Sequence, residues 1–186
     1  FSGNETFSDG ALRTIFKSAS SSGVSGIFGE EGDYLYDEDQ FALGIANVQR
    51  FYQQEGYAQV RIAPPEVIKF DARKDEVQVR IAVVEGQPML IDSIGYEISG
   101  VDESERSMLV WHIKRARDVF ILHVGSRFRD SSLIIDRDSL ILLMSNQGYP
   151  HARIEQNLRV DTVAAQVAVT WRISAGSLAT FGETEI

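Results

Sequence analysis

The 186-residue sequence contains no cysteine, which excludes structural disulfides, thiolate catalysis and cysteine-ligated metal sites. It has only three histidines, His112, His123 and His151, and no two of them have the spacing that places paired metal ligands on one helix face. It also lacks any apolar run close to the roughly 20 residues that cross a bilayer as a helix. The sequence therefore predicts no cofactor, no metal site and no membrane-spanning helix.

Positive charge is scarce as well, because 18 Lys and Arg stand against 27 Asp and Glu, for a formal net charge of −9. Nucleic-acid binding rests mainly on Lys and Arg that neutralise phosphates, so no nucleic-acid partner is expected. The Gly-x-Ser-x-Gly signature of serine hydrolases is absent, and the serines lie in polar linkers rather than beside a histidine. These absences predict that the protein is not an enzyme.

Two patterns between residues 23 and 39 resemble ligand sites, but neither has a full signature. The acidic cluster from Glu30 to Asp39 could attract calcium, yet it lacks the alternating ligands and central glycine of an EF-hand loop. Glycine recurs every third residue from Gly23 to Gly32, without the Gly-Lys-Ser/Thr sequence of a phosphate cradle. We interpret the region as a solvated connection leading into a charged helix start. An enzyme that uses the acidic loop with a metal is the alternative hypothesis.

What the sequence does contain is an internal repeat. The segment from Tyr52 to Ile62 recurs in outline from Met144 to Ile154, so the glycine–tyrosine pair moves from Gly56 to Gly148, a displacement of 92 residues. Downstream of each copy lies an alternating apolar strand that ends in a glycine. A repeat of this length is a domain rather than a solenoid unit, and the chain is long enough for two small domains, each with a modest core.

Apolar spacing predicts the same elements in both copies, in the order strand, helix, helix, strand, strand. The helix starts carry side chains that can cap the first turn. These capping residues are Ser8 with Asp9, Asp37, Asp102 with Glu105, and Asp130. From Ala165 to Ile173 apolar residues alternate with polar ones, which is typical of a sheet covered on one side only. The apolar run from Val119 to Leu122, between the helices of the second copy, either completes the core or forms an exposed contact patch, and we expect the core because exposed apolar runs invite aggregation.

The repeat also predicts the domain boundaries. The first copy occupies residues 1–87 and lacks most of its opening strand, because Phe1-Ser2-Gly3 matches Ile98-Ser99-Gly100 at the end of that strand in the second copy. The second copy occupies residues 88–176. Residues 177–186 then begin a further copy, since the segment from Phe181 to Ile186 repeats the position of the segment from Ile91 to Tyr96. We expect the chain to be a piece of a longer array.

Several short signatures together resemble POTRA (polypeptide-transport-associated) domains. They are Phe1-Ser2-Gly3-Asn4, the Phe7-Ser8-Asp9 helix start, the Glu55-Gly56-Tyr57 turn and the linker Val84-Glu85-Gly86-Gln87-Pro88. The second copy keeps the Gly148-Tyr149 turn, but it has Val101 after Gly100 where the pattern has Asn, and its linker lacks proline. Within this family the sequence is most similar to BamA-like outer-membrane assembly factors.

The resemblance implies an α+β chain of two tandem POTRA-like domains, each β-α-α-β-β with a three-stranded mixed sheet covered on one face by two helices. It implies a periplasmic location in a protein anchored in the bacterial outer membrane. The implied partners are unfolded outer-membrane β-barrel proteins, accessory assembly lipoproteins, neighbouring POTRA domains and a C-terminal β-barrel of the same parent chain. A POTRA region of a secretion transporter, or a structural spacer and docking array, remains the alternative.

A binding mode follows from the strand after each Gly-Tyr turn. In the first copy this strand contains Pro64-Pro65, and prolines in sheets are confined mainly to edges because they lack a ladder donor. An exposed edge can pair with an extended guest chain by β-augmentation. The candidate edge residues are Val60, Arg61 and Ile62 in the first copy, and Arg153, Ile154, Glu155, Asn157 and Arg159 in the second.

On the second edge, alternation predicts that Ala152, Ile154, Leu158 and Val160 face the helices, while the four polar candidates face outward. Outward polar residues are also the ordinary solvated face of a half-covered sheet, and edges often carry charge simply to prevent aggregation. The sequence leaves both interpretations of these side chains open.

Overall fold

The computed structural model describes residues 1–18, 38–71 and 76–179. Several predictions fall outside these residues: the acidic cluster up to Asp37, the glycine series, the Asp37 cap and the opening strand expected at 181–186. The chain divides into two compact units, Phe1–Pro88 and Met89–Ile186. The two hydrophobic cores share no residue.

The first unit contains two helices and a set of short strands. The elements are α1 (Asp9–Ser18), α2 (Glu38–Gln54), β1 (Arg61–Ile62), β2 (Glu66–Asp71), β3 (Glu76–Arg80) and β4 (Val83–Val84). Strand β1 pairs antiparallel with β4, β2 pairs antiparallel with β3, and Ser2 forms a parallel bridge with Ala82. The remnant of the opening strand therefore lies beside the last strand, and the Pro64-Pro65 pair separates β1 from β2.

A half-buried carboxylate links the start of the first unit to its aromatic core. The Glu85 carboxylate accepts hydrogen bonds from the Thr6 amide at 3.0 Å, the Thr6 hydroxyl at 2.6 Å and the Tyr52 hydroxyl at 2.8 Å. Burial acts to raise the pKa of Glu85, but the hydrogen bonds from Thr6 and Tyr52 outweigh it and hold that pKa below its ordinary value. Burial, followed by the bond to Glu85, raises the pKa of Tyr52.

The second unit has the complete predicted order of elements. They are β5 (Leu90–Ser99), α3 (Glu103–Arg115), a 3-10 turn (Arg117–Val119), α4 (Asp130–Asn146), β6 (Arg153–Asp161) and β7 (Gln166–Ser174). The strand order is β5-β7-β6, with β5 parallel and β6 antiparallel to the central β7. This is the mixed three-stranded sheet that was predicted.

The core of the second unit lies between this sheet and its two helices. Strand β7 contributes four side chains, and the helices contribute apolar residues that recur at helical spacing. The fully buried members are Ile91, Leu109, Ile113, Leu140, Met144, Val167, Val169, Trp171 and Ile173. The opposite face of the sheet carries the polar residues of β7, so the sheet is covered on one face only, as the alternation predicts.

The repeated Gly-Tyr sequence forms the same turn in both units. Gly56 and Gly148 have φ of 91° and 90°, a left-handed conformation that glycine adopts without the Cβ clash of other residues. The amide of the following tyrosine donates to the carbonyl of Tyr52 at 2.8 Å in one unit, and to that of Met144 at 2.9 Å in the other. The turn ends the second helix and directs the chain into the next strand.

Two of the predicted helix starts in the second unit have different outcomes. Asp102 and Glu105 form the expected capping box, with the Glu105 amide donating to the Asp102 carboxylate at 2.8 Å and the Asp102 amide donating to the Glu105 carboxylate at 3.1 Å. The predicted Asp130 cap is wrong, because Arg129 occupies the N-cap position without a side-chain hydrogen bond and Asp130 is the first helical residue.

The apolar run between α3 and α4 is only half core. Phe120 and Leu122 are buried, whereas Val119 and Ile121 are exposed, so the expectation of core is confirmed for the first pair and wrong for the second. Val119 ends the 3-10 turn and Phe120 has an extended backbone, so the side chains of the run do not share one face. The buried Asp136 carboxylate fixes it by accepting from the Ile121 amide at 2.7 Å and the Leu122 amide at 2.9 Å.

Candidate strand-edge binding site

The hydrogen bonds of β7 establish which backbone groups point toward each neighbouring strand. The Leu90 amide donates to the Ala165 carbonyl at 2.9 Å, and the Ala175 amide donates to the Ser99 carbonyl at 3.0 Å. Backbone groups of successive strand residues point to opposite sides. Odd-numbered residues of β7 therefore face β5, and even-numbered residues face β6.

This parity identifies the open backbone groups of β6. The register pairs Arg153 with Ser174 and continues without a bulge to Asp161 with Gln166, so odd-numbered residues of β6 bond the even-numbered residues of β7. The N–H and C=O groups of the residues between them point away from the sheet. These residues are Ile154, Gln156, Leu158 and Val160, and no described residue hydrogen-bonds their outward groups.

The side chains of β6 largely follow the predicted alternation. Ile154 is buried and Leu158 is half-buried on the helix side, but Val160 is 51% exposed although it lies on the same side. The four polar candidates, Arg153, Glu155, Asn157 and Arg159, are exposed. The edge therefore combines an apolar margin on one side with a polar face on the other.

The opposite margin of the sheet is occupied by the chain itself near the two ends of β5. The loop before α4 runs alongside the start of β5: the Ile91 amide donates to the Ser126 carbonyl at 2.9 Å and the Gly125 amide donates to the Ile91 carbonyl at 2.7 Å. Near the other end of β5, the Arg106 Nε donates to the Ile98 carbonyl at 3.1 Å. Between these ends, no described residue hydrogen-bonds the outward N–H and C=O groups of Ile94 and Tyr96. A guest strand that spans the whole of β5 would therefore have to displace native bonds, whereas none opposes it at β6.

The corresponding edge in the first unit offers little backbone near its candidate residues. Val60 is buried, lies outside β1, and its amide already donates to the Tyr57 carbonyl at 3.2 Å, which corrects its assignment to an open edge. Arg61 pairs inward with Val84. Ile62 points its backbone outward, but the next outward position is Pro64, which has no N–H. Around β1, Ile62 is therefore the one described residue that points both a backbone N–H and a C=O outward.

A shallow depression lies on the uncovered face at the start of β6. Three arginines and two glutamates line it, together with Ser99 and Ser174; the charged residues are Glu97, Arg106, Arg153, Glu155 and Arg172. Arg172 pairs with Glu97 at 3.1 Å, and Arg106 pairs with Glu103 at 2.7 Å. The side chain of Arg153 has no hydrogen-bond or ion-pair partner among the described residues. It is the available cation of this depression.

The outer face of α4 is a second surface, exposed and apolar among the residues that the structure describes. Ile134 and Leu142 are 55% and 63% exposed, and Ile135 and Ile141 are exposed beside them. Helical spacing places these four residues opposite the buried stripe that contains Leu140. A helix that is apolar on both sides normally packs against something on both sides.

Sequence reasoning selected Ile154 and the odd-numbered residues of β6, the latter for their outward side chains. The unpaired backbone groups belong to the even-numbered residues, so the selection includes Ile154 but misses Gln156, Leu158 and Val160. Alternation in the sequence predicts on which face of the sheet each side chain lies. The hydrogen bonds of β7 are needed to establish which residues of β6 point their backbone groups outward.

Within the described residues no three His, Asp or Glu side chains cluster in a way that could hold a metal ion. Nor is any helix of that part long and apolar enough to cross a bilayer.

Comparison with known proteins gives one family match. The model of the POTRA family, surface antigen variable number repeat, matches residues 1–86. No curated protein matches the chain.

Several solved structures are similar to the chain. The POTRA3-5 segment of Haemophilus influenzae BamA is 21% identical, over 96% of this chain and 65% of that one, with a TM-score of 0.45. Haemophilus ducreyi BamA lacking POTRA domains 1-3 is 15% identical, over 90% of this chain and 26% of that one, with a TM-score of 0.45. POTRA1-3 of the periplasmic domain of Omp85 from Anabaena is 16% identical, over 95% of this chain and 62% of that one, with a TM-score of 0.41. This chain thus spans less than two thirds of each of these structures.

Proposed function

We propose, on the premise that residues 1–86 match the POTRA family model, that the chain is a periplasmic, client-binding part of an outer-membrane β-barrel assembly factor. Its clients are unfolded outer-membrane β-barrel proteins, which it binds by β-augmentation. Accessory assembly lipoproteins, neighbouring POTRA domains and a C-terminal β-barrel of the same parent chain complete its partners. The role is binding and scaffolding rather than catalysis.

The open backbone of β6 is the observation that carries this proposal. Four alternate residues, from Ile154 to Val160, point their N–H and C=O groups away from the sheet. An added strand would satisfy these groups without breaking any native bond. Its alternate side chains would lie beside the apolar margin and beside the polar face of β6. A strand of alternating apolar and polar residues, the pattern of transmembrane β-barrels, fits both sides.

The energetics favour weak binding that tolerates many sequences. Each backbone hydrogen bond contributes about 0.5–1.5 kcal/mol net, whereas association costs about 4–15 kcal/mol in lost freedom. An edge of this length therefore holds a guest only briefly. Tandem domains raise the effective affinity for a client, because once one domain has bound it, the contact with the second domain forms within the same complex. Such contacts suit the transfer of a client along an array.

Substitution at Gln156 tests the proposal because its amide points outward. Gln156→Pro removes that donor while leaving the bonds between β6 and β7 in place, and edge strands tolerate proline. Gln156→Ala removes the side chain but keeps the backbone. We expect Gln156→Pro to weaken binding of a labelled unfolded β-barrel protein, measured by fluorescence anisotropy, and Gln156→Ala to bind like the parent protein.

A second measurement locates the contact directly. Because the chain has no cysteine, one cysteine introduced at position 155 provides a unique attachment point for a photocrosslinker. We expect adducts with the unfolded client from this position. Equal binding by the proline and alanine variants, or no adduct from position 155, would reject binding at this edge.

The outer face of α4 supports a second function, docking of an accessory protein through helices rather than through the sheet edge. Its exposed apolar residues, Ile134 and Leu142 among them, form a stripe whose contact with water is unfavourable. We expect Leu142→Asp to abolish capture of an accessory lipoprotein while leaving client binding at β6 unchanged. Loss of client binding in this variant, or unchanged lipoprotein capture, would contradict the assignment of the two surfaces.

A further inference from the structure

Positive charge in this acidic chain is concentrated in one segment of the second unit. Residues 106–129 contain six Lys or Arg and one Asp, for a net charge of +5, whereas the rest of the chain carries −14. The segment comprises most of α3, the 3-10 turn and the loop that leads to α4. A local excess of one sign of charge attracts partners of the opposite sign, so this segment favours an anionic partner.

The exposed side of α3 also carries large apolar side chains. Met108 and Trp111 are 48% and 54% exposed, and Val119, in the 3-10 turn, is 64% exposed. Together with Arg115 they follow one another at intervals of three and four residues along α3 and the turn. This spacing places them on one side, opposite the stripe that contains the buried Leu109. The exposed stripe is about 16 Å long.

Two cations lie within one turn of the exposed tryptophan. Lys114 and Arg115 follow Trp111 by three and four residues, and both are exposed. The Arg115 guanidinium lies over the indole ring, 5.3 Å from its centroid. The one acid of the segment, Asp118, pairs with Arg117 at 3.5 Å. The surface is therefore amphipathic: its ring and aliphatic chains can leave water while its charged groups stay at the interface.

From this combination we infer that the outer side of α3 docks on an anionic lipid surface. Tryptophan is enriched where membrane meets water, because its ring is apolar and its N–H is polar. Clustered Lys and Arg are attracted to anionic headgroups. The helix lies in the plane of the lipid surface, with Met108, Trp111 and Val119 among the headgroups. The inference goes beyond the proposed function and does not depend on client binding at β6.

An acidic protein is the other partner that charge alone allows. A stripe one helix wide and about 16 Å long covers much less than the roughly 1,200 Å² that a stable protein interface buries. Interfacial binding to lipid instead grows with the apolar area buried and with the charge on the helix, and it needs no matching shape. The narrow, protruding stripe therefore favours lipid.

Vesicles test the inference directly. The intact chain is mixed with vesicles of phosphatidylcholine alone, or of phosphatidylcholine with phosphatidylglycerol. Tryptophan emission reports the contact, because Trp111 is exposed whereas Trp171 is buried. We expect a blue shift with the anionic vesicles only, quenching by lipids brominated in their acyl chains, and loss of both signals at high salt.

Matched variants locate the contact. Lys114→Gln combined with Arg115→Gln should weaken binding to the anionic vesicles at least tenfold, from about fivefold for each cation. Arg13→Gln combined with Arg50→Gln removes two exposed helical cations of the first unit and should keep the parent affinity. Trp111→Phe should lose the emission shift while it still sediments with the vesicles.

Several outcomes would overturn the inference. They are equal binding to both kinds of vesicle, binding to neither, and equal losses in the two double variants. Binding of polyglutamate in solution, without an emission shift on vesicles, would identify an acidic protein as the partner instead. Inorganic phosphate should compete no better than sodium chloride at equal ionic strength, and stronger competition would indicate a site for free phosphate rather than for a lipid surface.

Client binding keeps this test separate from the proposed function. The variant that lacks Lys114 and Arg115 should bind a labelled unfolded β-barrel protein like the parent chain in fluorescence anisotropy. Failure on vesicles with intact client binding would overturn the lipid surface alone, and the Gln156→Pro variant should retain its vesicle binding.

Discussion

At the residue scale, the carboxylates of Glu85 and Asp136 each organise one unit. Glu85 joins the start of the first unit to its aromatic core through Thr6 and Tyr52. Asp136 fixes the extended run between α3 and α4. Neither role is visible in the sequence, since Glu85 lies in a linker signature and Asp136 in a helix with other acidic residues. Their partners are distant in the chain or are backbone amides.

Replacing Glu85 should destabilise the first unit in a pH-dependent manner. Its folded pKa lies below the ordinary 4.5, so its contribution is present above pH 4.5 and is lost as the pH falls through the folded value. We expect Glu85→Gln to cost about 1–2 kcal/mol at pH 7 and much less in acid. Circular dichroism during urea unfolding measures this, with the exposed Glu66→Gln as control. An equal cost at both pH values would contradict the role of the carboxylate.

Replacing Asp136 should destabilise the second unit at neutral pH. Asp136→Ala leaves the Ile121 and Leu122 amides without an acceptor, and we expect a loss of roughly 2–4 kcal/mol. Asp138→Ala, on the exposed side of the same helix, should change stability by less than about 0.5 kcal/mol. Both tryptophans, Trp111 and Trp171, lie in the second unit, so their fluorescence during denaturation reports this difference. Similar losses in both variants would contradict it.

At the element scale, the turn that ends α4 depends on one glycine. Gly148 has φ of 90°, and an added Cβ would lie 2.8 Å from Leu178 Cδ1. We expect Gly148→Ala to destabilise the second unit by about 1–2 kcal/mol, from the left-handed backbone alone. Gly95→Ala is the matched control, because its Cβ would make ordinary contacts with Thr170 at 3.7 Å. Tryptophan fluorescence during urea unfolding measures both, and a neutral Gly148→Ala would contradict the strain argument.

Periodicity and turn residues predicted the elements of the second unit and their order. They also predicted the Asp102–Glu105 cap, because these signals are local. The outward backbone parity of β6 could not be predicted, since it depends on which side of β7 faces β5. The sequence also did not indicate that the loop at Gly125–Ser126 bonds the start of β5, because these hydrogen bonds join backbone groups more than 30 positions apart.

At the scale of the whole molecule, the two units have separate cores, one built from residues between Leu12 and Val83 and the other from residues between Met89 and Ala175. We expect a fragment of residues 89–186 to fold alone and to unfold in urea at the same midpoint, by tryptophan fluorescence, as the second unit of the intact chain. A lower midpoint or a broadened transition in the fragment would show that the second unit depends on the first.

The loop that covers the start of β5 makes the two margins of the sheet unequal and so gives the second unit a direction of growth. A strand added at β6 brings its own free edge, on which the next strand of the same client can be laid. Because a strand that spans β5 would have to displace native bonds, successive strands would accumulate on the β6 side and in order. The sheet would then act as a template on one side, on which a hairpin of the client begins to form, rather than only binding one segment of it.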